Sequence, residues 1–371
     1  MKSDVERNFL DGAIRGLLPL CNNLFIIAGN FDKNYDDRVH LINIREDQNL
    51  RRATSLLQRV VKNLSAQSQM IVDLVIVSSH SDIVFYDVGE YRNLVAILVG
   101  KLLGKTTLVY HHGGNKLLEG QILYRNGVQI LIPYIQECML RLCYRIVDHV
   151  LCQTPAIVEF GGLQKYRKKI LFAKHFVDIN RFVPKTPPTS KQNLIGYFGN
   201  LAPKKGIMNV VESLPMILNE HGNVRLIIAG TGELKPVLLD LAENGGLGEY
   251  VKFLPWIPDE LYPERLGELK FFVLPSAEEG VPATVLEAMA CGVIPIVTPV
   301  GGIPDIVIDG ETGFLIPDSK PNSIAAGVIR AINSSNLDRI SKKGAEFVRN
   351  EYSLQAVVQN YREILASIKQ T

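Results

Sequence analysis

The strongest constraint in this sequence is a rhythm. Short apolar runs rich in β-branched residues recur along the chain, and most are separated by segments of helical periodicity. Such alternation predicts parallel α/β sheets, because a strand must return through a crossover, usually a helix, before a parallel neighbour can pair with it. In the first half the strand candidates are 23–29 (NLFIIAG), 73–79 (DLVIVSS), 82–87, 106–112 and 149–154. In the second half they are 194–199, 224–230, 251–255, 270–276 and 294–298. These runs are nearly continuous in apolar residues, which predicts sheets covered by helices on both faces. The segment 91–104 predicts a helix stopped by Gly104, and 353–370 a terminal helix with no strand after it.

At 371 residues the chain exceeds the size at which a single core usually stops growing, so two domains are expected. The segment 183–193 (VPKTPPTSKQN) has three prolines and no apolar periodicity and reads as the linker between them. The expected domains are 1–183 and 184–352, with a helix at about 353–371 packing back on the first. Ligands in such doubly wound sheets are expected at the carboxyl ends of the strands.

Composition narrows the function classes. A net charge of +2 gives no argument for a nucleic-acid partner. Residues 1–180 carry 22 Lys and Arg against 17 Asp and Glu, a modest surplus that leaves peripheral contact with an anionic membrane surface open. Five scattered cysteines form no CxxC pair and no zinc spacing, which suits reduced thiols in the cytoplasm. The first residues (MKSDVERNFLDG) lack a signal-peptide apolar stretch. The long apolar segment 127–147 is interrupted by Pro133, Glu137, Arg141 and Arg145, so a packed helix is expected there, not a membrane span.

The chemistry concentrates in 278–295, EEGVPATVLEAMACGVIP. It follows a strand candidate, and its second part has a helical pattern opened by Pro282 and closed by Gly292. A helix N-terminus offers unpaired N–H groups and partial positive charge, and Gly280 lets a ligand approach the backbone closely. Glu279 lies in the loop and Glu287 about one turn inside the helix, among Leu286, Ala288 and Met289. Ionised carboxylates only accept hydrogen bonds, so a pair beside a phosphate site suits the hydroxyls of a sugar or ribose.

The stretch EGVPATVLEAMACGVIPIVTPVGGIPDIVIDGETGFLI resembles the E-x7-E region of the retaining GT-B glycosyltransferases of family 4. The similarity extends over about 194–350 and includes GYFGNLAPKKGI, LIIAGTGE and VKFLPWIPDE. The resemblance implies two doubly wound Rossmann-like domains facing across a cleft, with a nucleotide-sugar donor on the second and a glycan or lipid-linked acceptor facing the first. It implies that Glu287 binds the ribose hydroxyls and Glu279 addresses the transferred sugar. Backbone groups of Gly280, Val281 and Ala283 would then hold the donor, Pro282 having no N–H to give.

The same resemblance assigns the loop after LIGYFG, from Gly199, to the diphosphate. Lys205 matches the family's phosphate-binding Lys, with Lys204 alongside, but Asn200 stands where the family usually has Arg. Arg grips phosphate with a planar fork that Lys cannot copy, so this replacement weakens the expected grip. Gly230, Thr231 and Gly232 correspond to the turn packed against the donor, and Trp256 and Ile257 to the lining of the base pocket. His112 aligns with the histidine bordering the reacting sugar, and its neighbour His111 is expected to point to the opposite face. The family usually works without a metal or other cofactor, and the sequence has no DxD.

The family's first strand and its Gly-Gly loop have no counterpart ahead of DVERNFLDGAIRG, so the N-terminal domain is expected to lack its usual first strand. The resemblance therefore implies a glycosyltransferase (Glu279, Lys205 and His112 at the reacting centre). A relative reduced to binding or regulation, and a GT-B sugar phosphorylase or epimerase, stand as alternatives.

Overall fold

The computed structural model describes residues 4–29, 37–44, 56–86, 93–113 and 128–369. The chain forms two compact units. One comprises Ala13–Cys152, Gly161–Ala173 and the chain from Tyr361; the other comprises the chain to Gly12, Gln153–Phe160 and Lys174–Asn360.

Helix α1 (Asp4–Leu17) begins in the second of these units and ends in the first, the N-terminal unit, which continues through β1 (Leu24–Gly29), β2 (Val39–Ile44), α2 (Leu56–Ser78), β3 (Ile83–Tyr86), α3 (Leu94–Leu102), β4 (Thr106–His111), α4 (Val128–Ile146), β5 (His149–Cys152) and β6 (Ile170–Phe172). All its ladders are parallel, yet they do not make one sheet. Among the described residues, β1 and β2 pair only with each other, whereas β3, β4, β5 and β6 form a separate sheet in that order. The centre of the second sheet is dry: Leu108, Val109, Tyr110, Val150, Leu151 and Cys152 are buried. The Tyr110 hydroxyl donates to the Ala173 carbonyl at 3.0 Å, which satisfies the one polar atom of a fully buried side chain.

One sequence expectation fails here. The run 73–79, predicted as a strand, is the end of α2 up to Ser78. Asp73, Leu74, Val77 and Ser78 are buried while Val72, Val75 and Ile76 are exposed, a helical spacing that a continuous apolar run conceals. Three strands escaped sequence reading. β2 carries polar His40 and Asn43, and β6 and the later β12 (Phe314–Leu315) have three and two residues, too few to show a period. Within the apolar segment 127–147, Val128–Ile146 is helical as expected, and α3 ends just before Gly104.

The C-terminal unit runs through α5 (Pro155–Phe160), β7 (Leu194–Phe198), α6 (Ile207–Glu220), β8 (Arg225–Ala229), α7 (Lys235–Asn244), β9 (Val251–Leu254), α8 (Tyr262–Glu268), β10 (Phe271–Leu274), α9 (Ala283–Ala290), β11 (Ile294–Val297), β12 (Phe314–Leu315), α10 (Pro321–Ile332), α11 (Leu337–Tyr352) and α12 (Leu354–Lys369), the last continuing into the N-terminal unit. Its six parallel strands lie in the order β12-β11-β10-β7-β8-β9. The chain builds outward from β7 to β9, then returns to lay β10 on the other side of β7. That reversal is a topological switch point, the place at the strands' carboxyl ends where such sheets take ligands. Here the loops leaving β7 and β10 touch, the Ala277 N–H donating to the Lys204 carbonyl at 2.9 Å. Every residue of β10 and β11 is buried, as continuous apolar strands between two helical layers require.

The proline-rich segment 183–193 is fastened to this unit. The Thr189 N–H and hydroxyl donate to Asp338 at 3.1 and 2.8 Å, and Lys191 Nζ donates to the Gly267 and Leu269 carbonyls at 2.7 and 2.8 Å. The Lys191 contacts serve the C-terminal end of α8, whose last carbonyls lack helical partners. Burial pushes the Lys191 ammonium down to about 8.

Phe272 is fully buried in β10 and meets the Phe198 ring edge-to-face at 6.4 Å. Phe272→Ala should remove about 3–5 kcal/mol of stability in urea unfolding of the full chain. A loss below about 1 kcal/mol would contradict a tightly packed centre at β10.

Candidate functional site

The switch point between β7 and β10 gathers the charged residues singled out in the sequence. Lys205 lies in the loop after β7, and Glu279 in the loop after β10. Their side chains meet, Nζ to Oε1, at 2.5 Å. Glu279 is only 7% exposed, so its charge would be costly without partners. A second donor supplies part of the compensation: the fully buried Ser276 hydroxyl donates to the same Oε1 at 2.6 Å. Thr298, at the end of β11, donates in turn to the Ser276 carbonyl at 2.5 Å. Neither Ser276 nor Thr298 emerged from sequence reading, since a lone hydroxyl after a strand carries no pattern.

The backbone here is packed too closely for side chains at several points, tightest at two. A Cβ on Gly230 would lie 1.9 Å from the Gly199 carbonyl oxygen, which draws the turns after β7 and β8 together. Gly301 has φ +58°, and a Cβ there would lie 1.8 Å from the Glu279 carbonyl oxygen. Next to it the Gly302 N–H donates to the Gly280 carbonyl at 2.8 Å. The loop after β11 thus backs the loop that carries Glu279 and Gly280, a support visible in the sequence only as an unassigned Gly-Gly.

Pro282 is the N-cap of α9, and the helix runs from Ala283 to Ala290. The Val281 N–H is engaged by the Gln153 Oε1 at 2.9 Å, with Gln153 itself buried. Gln153 begins the segment 153–160, which belongs to this unit although it lies far upstream in sequence. The Asp305 carboxylate fixes the same segment by accepting the Ala156 N–H at 2.7 Å. Sequence reading had no signal for Gln153, because its role depends on a contact 128 residues away.

Glu287 sits one turn inside α9 with only part of its surface exposed, while Val285, Leu286, Ala288 and Met289 around it are buried. Burial pushes its carboxyl up to about 7, against the opposing effects of the Tyr262 hydroxyl and the Arg181 guanidinium. The Tyr262 hydroxyl is buried without a hydrogen bond of ordinary length, yet lies close enough to favour the Glu287 carboxylate. Arg181 is held to Asp259 by an ion pair at 3.0 Å and a bond to the Asp259 carbonyl at 2.6 Å. Glu287 is therefore an acid held away from water beside the 255–261 loop, which also carries Trp256, 47% exposed, and the half-buried Ile257.

The remaining candidates fall as follows. Lys204 and Asn200 are exposed in the loop after β7, and the Asn200 carbonyl accepts the Tyr197 hydroxyl at 2.8 Å. Thr231 is exposed between Gly230 and Gly232, and its carbonyl accepts the Leu201 N–H at 2.9 Å. His112 follows β4 in the N-terminal unit, half-buried, its ring 4.7 Å from that of Tyr110. His111 is fully buried, with Nδ1 2.7 Å from the Tyr144 hydroxyl, so the two adjacent histidines do have different surroundings.

Residues 178–347 match the model of the family described as glycosyl transferases group 1. Among curated relatives, an uncharacterized glycosyltransferase of Methanocaldococcus jannaschii is 32% identical over 142 residues, 38% of this chain and 36% of that protein. The capsular polysaccharide biosynthesis glycosyltransferase CapM of Staphylococcus aureus is 29% identical over 195 residues, 51% of this chain and 50% of that protein. The chain thus spans half the length, or less, of these relatives. Sucrose-phosphate synthase from Thermosynechococcus elongatus superposes with a TM-score of 0.76 at 17% identity, covering 95% of this chain and 92% of that one. Anabaena HepE in complex with UDP and glucose superposes with a TM-score of 0.71 at 15% identity, covering 96% and 95%. The chain therefore has the GT-B fold, and the segment that is similar to group 1 glycosyl transferases is the one that carries Lys205, Glu279 and Glu287.

Proposed function

We propose that this chain is a glycosyltransferase that moves a sugar from a nucleoside-diphosphate donor to an acceptor hydroxyl with retention of configuration. The observation that carries the reading is the Lys205–Glu279 pair at the switch point, next to the start of α9. A diphosphate there would meet the Lys205 ammonium, the N–H groups at the start of α9 and the positive end of the helix dipole. These groups counter the charge that builds on the leaving diphosphate as the bond from the anomeric carbon breaks. The acceptor oxygen bonds to that carbon from the same face, and its proton passes to an oxygen of the departing phosphate. Glu279, fixed by Ser276, accepts hydroxyls of the transferred sugar, and Glu287 accepts those of the ribose. His112 is assigned to the border of the reacting sugar. The reaction in this reading uses no metal or other cofactor.

Similar folds have been solved with UDP and with UDP and glucose, which makes UDP-sugars the first donors to test, before GDP- and ADP-sugars. Relatives named for capsular polysaccharide and colanic acid biosynthesis favour a glycan or lipid-linked precursor as acceptor. One observation keeps a second reading in view: exposed Asn200 offers no cation to the diphosphate loop. A regulatory relative would bind the nucleotide and transfer nothing.

Two measurements test the assignment. Glu287→Ala and Lys205→Ala should each lower transfer by a hundredfold or more while circular dichroism stays near wild type, Lys205→Ala also lowering the unfolding temperature because it leaves buried Glu279 one donor short; full transfer in both sinks the site. The second is the pH dependence of nucleotide binding, followed by calorimetry. A carboxyl raised from 4.5 to about 7 is largely protonated below pH 7 in the free protein. If its ionised form accepts the ribose hydroxyls, affinity should fall by up to roughly tenfold per pH unit below 7. The free protein should show the opposite trend, losing stability as pH rises from 4.5 to 7, since burial penalises only the ionised form. Both slopes should flatten in Glu287→Gln; unchanged slopes would assign the titration elsewhere.

A further inference from the structure

Two neighbouring helices of the N-terminal unit repeat one surface pattern. In α3 the exposed residues are Val95, Leu98, Lys101 and Leu102; in α4, among the described side chains, they are Ile135, Cys138, Arg141, Leu142 and Arg145. At about 100° per residue, each apolar trio falls within roughly 60° of helix circumference, with the cations flanking it on one side. The two helices pack against each other as successive crossovers of the β3-β4-β5 order, which puts their outer faces on one side of the sheet, and α2, which also packs on α3, adds exposed Ile76. Leu102 is 86% exposed, an unusual state for a leucine on a formed helix. Adjacent apolar rows of this kind mark an interaction surface.

Charge identifies what the surface fits. Residues 93–113, 135–152 and 161–173 carry eight Lys and Arg against two acids, Glu137 and Asp148. Both acids are already paired, Glu137 with Arg141 at 2.5 Å and Asp148 with Lys101 at 2.7 Å. The 3-10 turn Gln164–Lys169 (QKYRKK) is fastened to the end of α4: Lys169 Nζ donates to the Arg145 and Val147 carbonyls at 2.8 and 2.7 Å, and the Tyr166 hydroxyl to the Arg141 carbonyl at 3.1 Å. That attachment brings exposed Lys165, Arg167 and Lys168 to the margin of the apolar rows. We propose that the outer face of α3 and α4, with the Gln164–Lys169 turn, docks onto an anionic phospholipid surface, cations toward headgroup phosphates and apolar rows toward the acyl boundary.

A second copy of this chain fits less well, because a two-fold interface would set the cationic margin against itself. A nucleic acid would leave the apolar rows without a partner. No described helix is long and apolar enough to cross a membrane, so the contact is peripheral. The proposal is independent of the donor site, which lies in the other unit.

The test is co-sedimentation of the full chain with vesicles of phosphatidylcholine, with and without phosphatidylglycerol. Binding should require phosphatidylglycerol and weaken with salt. Lys165→Ala combined with Lys168→Ala should lower partitioning about 25-fold, at roughly fivefold per cation near such a surface. Leu102→Gln combined with Leu142→Gln should lower it at least tenfold. Both double variants should keep the wild-type thermal unfolding and nucleotide affinity, which separates this result from the transferase reading. Equal binding to both vesicle types, or no loss in either double variant, overturns the proposal. So does a dimer in sedimentation equilibrium that Leu102→Gln with Leu142→Gln dissociates while vesicle binding is absent.

Discussion

The C-terminal unit turns on one compensated charge. A carboxylate as buried as Glu279 survives in a fold only where donors converge on it, and Lys205 and Ser276 supply two from different loops. Satisfying that carboxylate ties the loop after β7 to the loop after β10, which follow adjacent strands far apart in sequence. Thr298 and Gly301 extend the tie to the loop after β11. Topology thus brings these loop ends to one place and electrostatics sets their positions. In the proposed reaction Lys205 is shared between Glu279 and the donor diphosphate, so the ligand enters a network that is already charged and ordered.

Glu287 contrasts with Glu279 although the two stand eight residues apart. Its ionised form is disfavoured by burial, and only the nearby Tyr262 hydroxyl and Arg181 oppose that penalty. An acid left so poorly compensated is expensive for stability and is suited to a ligand that supplies the missing donors. A diol such as ribose does so. The free fold therefore holds one acid already satisfied and one that is not.

The N-terminal unit is built from the same parallel ladders with a different outcome. β1 and β2 pair apart from β3 to β6, so its hydrogen bonding is divided between two sheets among the described residues. Its helices α3 and α4 expose apolar rows, with Leu102, Leu98, Ile135 and Leu142 on the surface. Buried β10 and β11, covered on both faces, show what the complete arrangement looks like.

Much of this was legible in the sequence. Continuous apolar runs at regular spacing fixed the α/β class, and nine of the ten strand candidates are strands, because burial on both faces writes itself into composition. The exception, 73–79, failed because an apolar run does not distinguish a buried strand from a helix edge until its neighbours decide which residues face inward. At the site, Glu279, Glu287 and the helix start stood out by residue type and spacing, and Lys205 through the family resemblance. Ser276, Gln153, Tyr262, Arg181 and Gly301 were not, since each matters through a partner brought near only by the fold. The sequence by itself determined which residues carry charge at the ends of which strands. Only the tertiary structure decided which of those charges meet, because pairing and desolvation depend on distances between loops remote from one another in the chain.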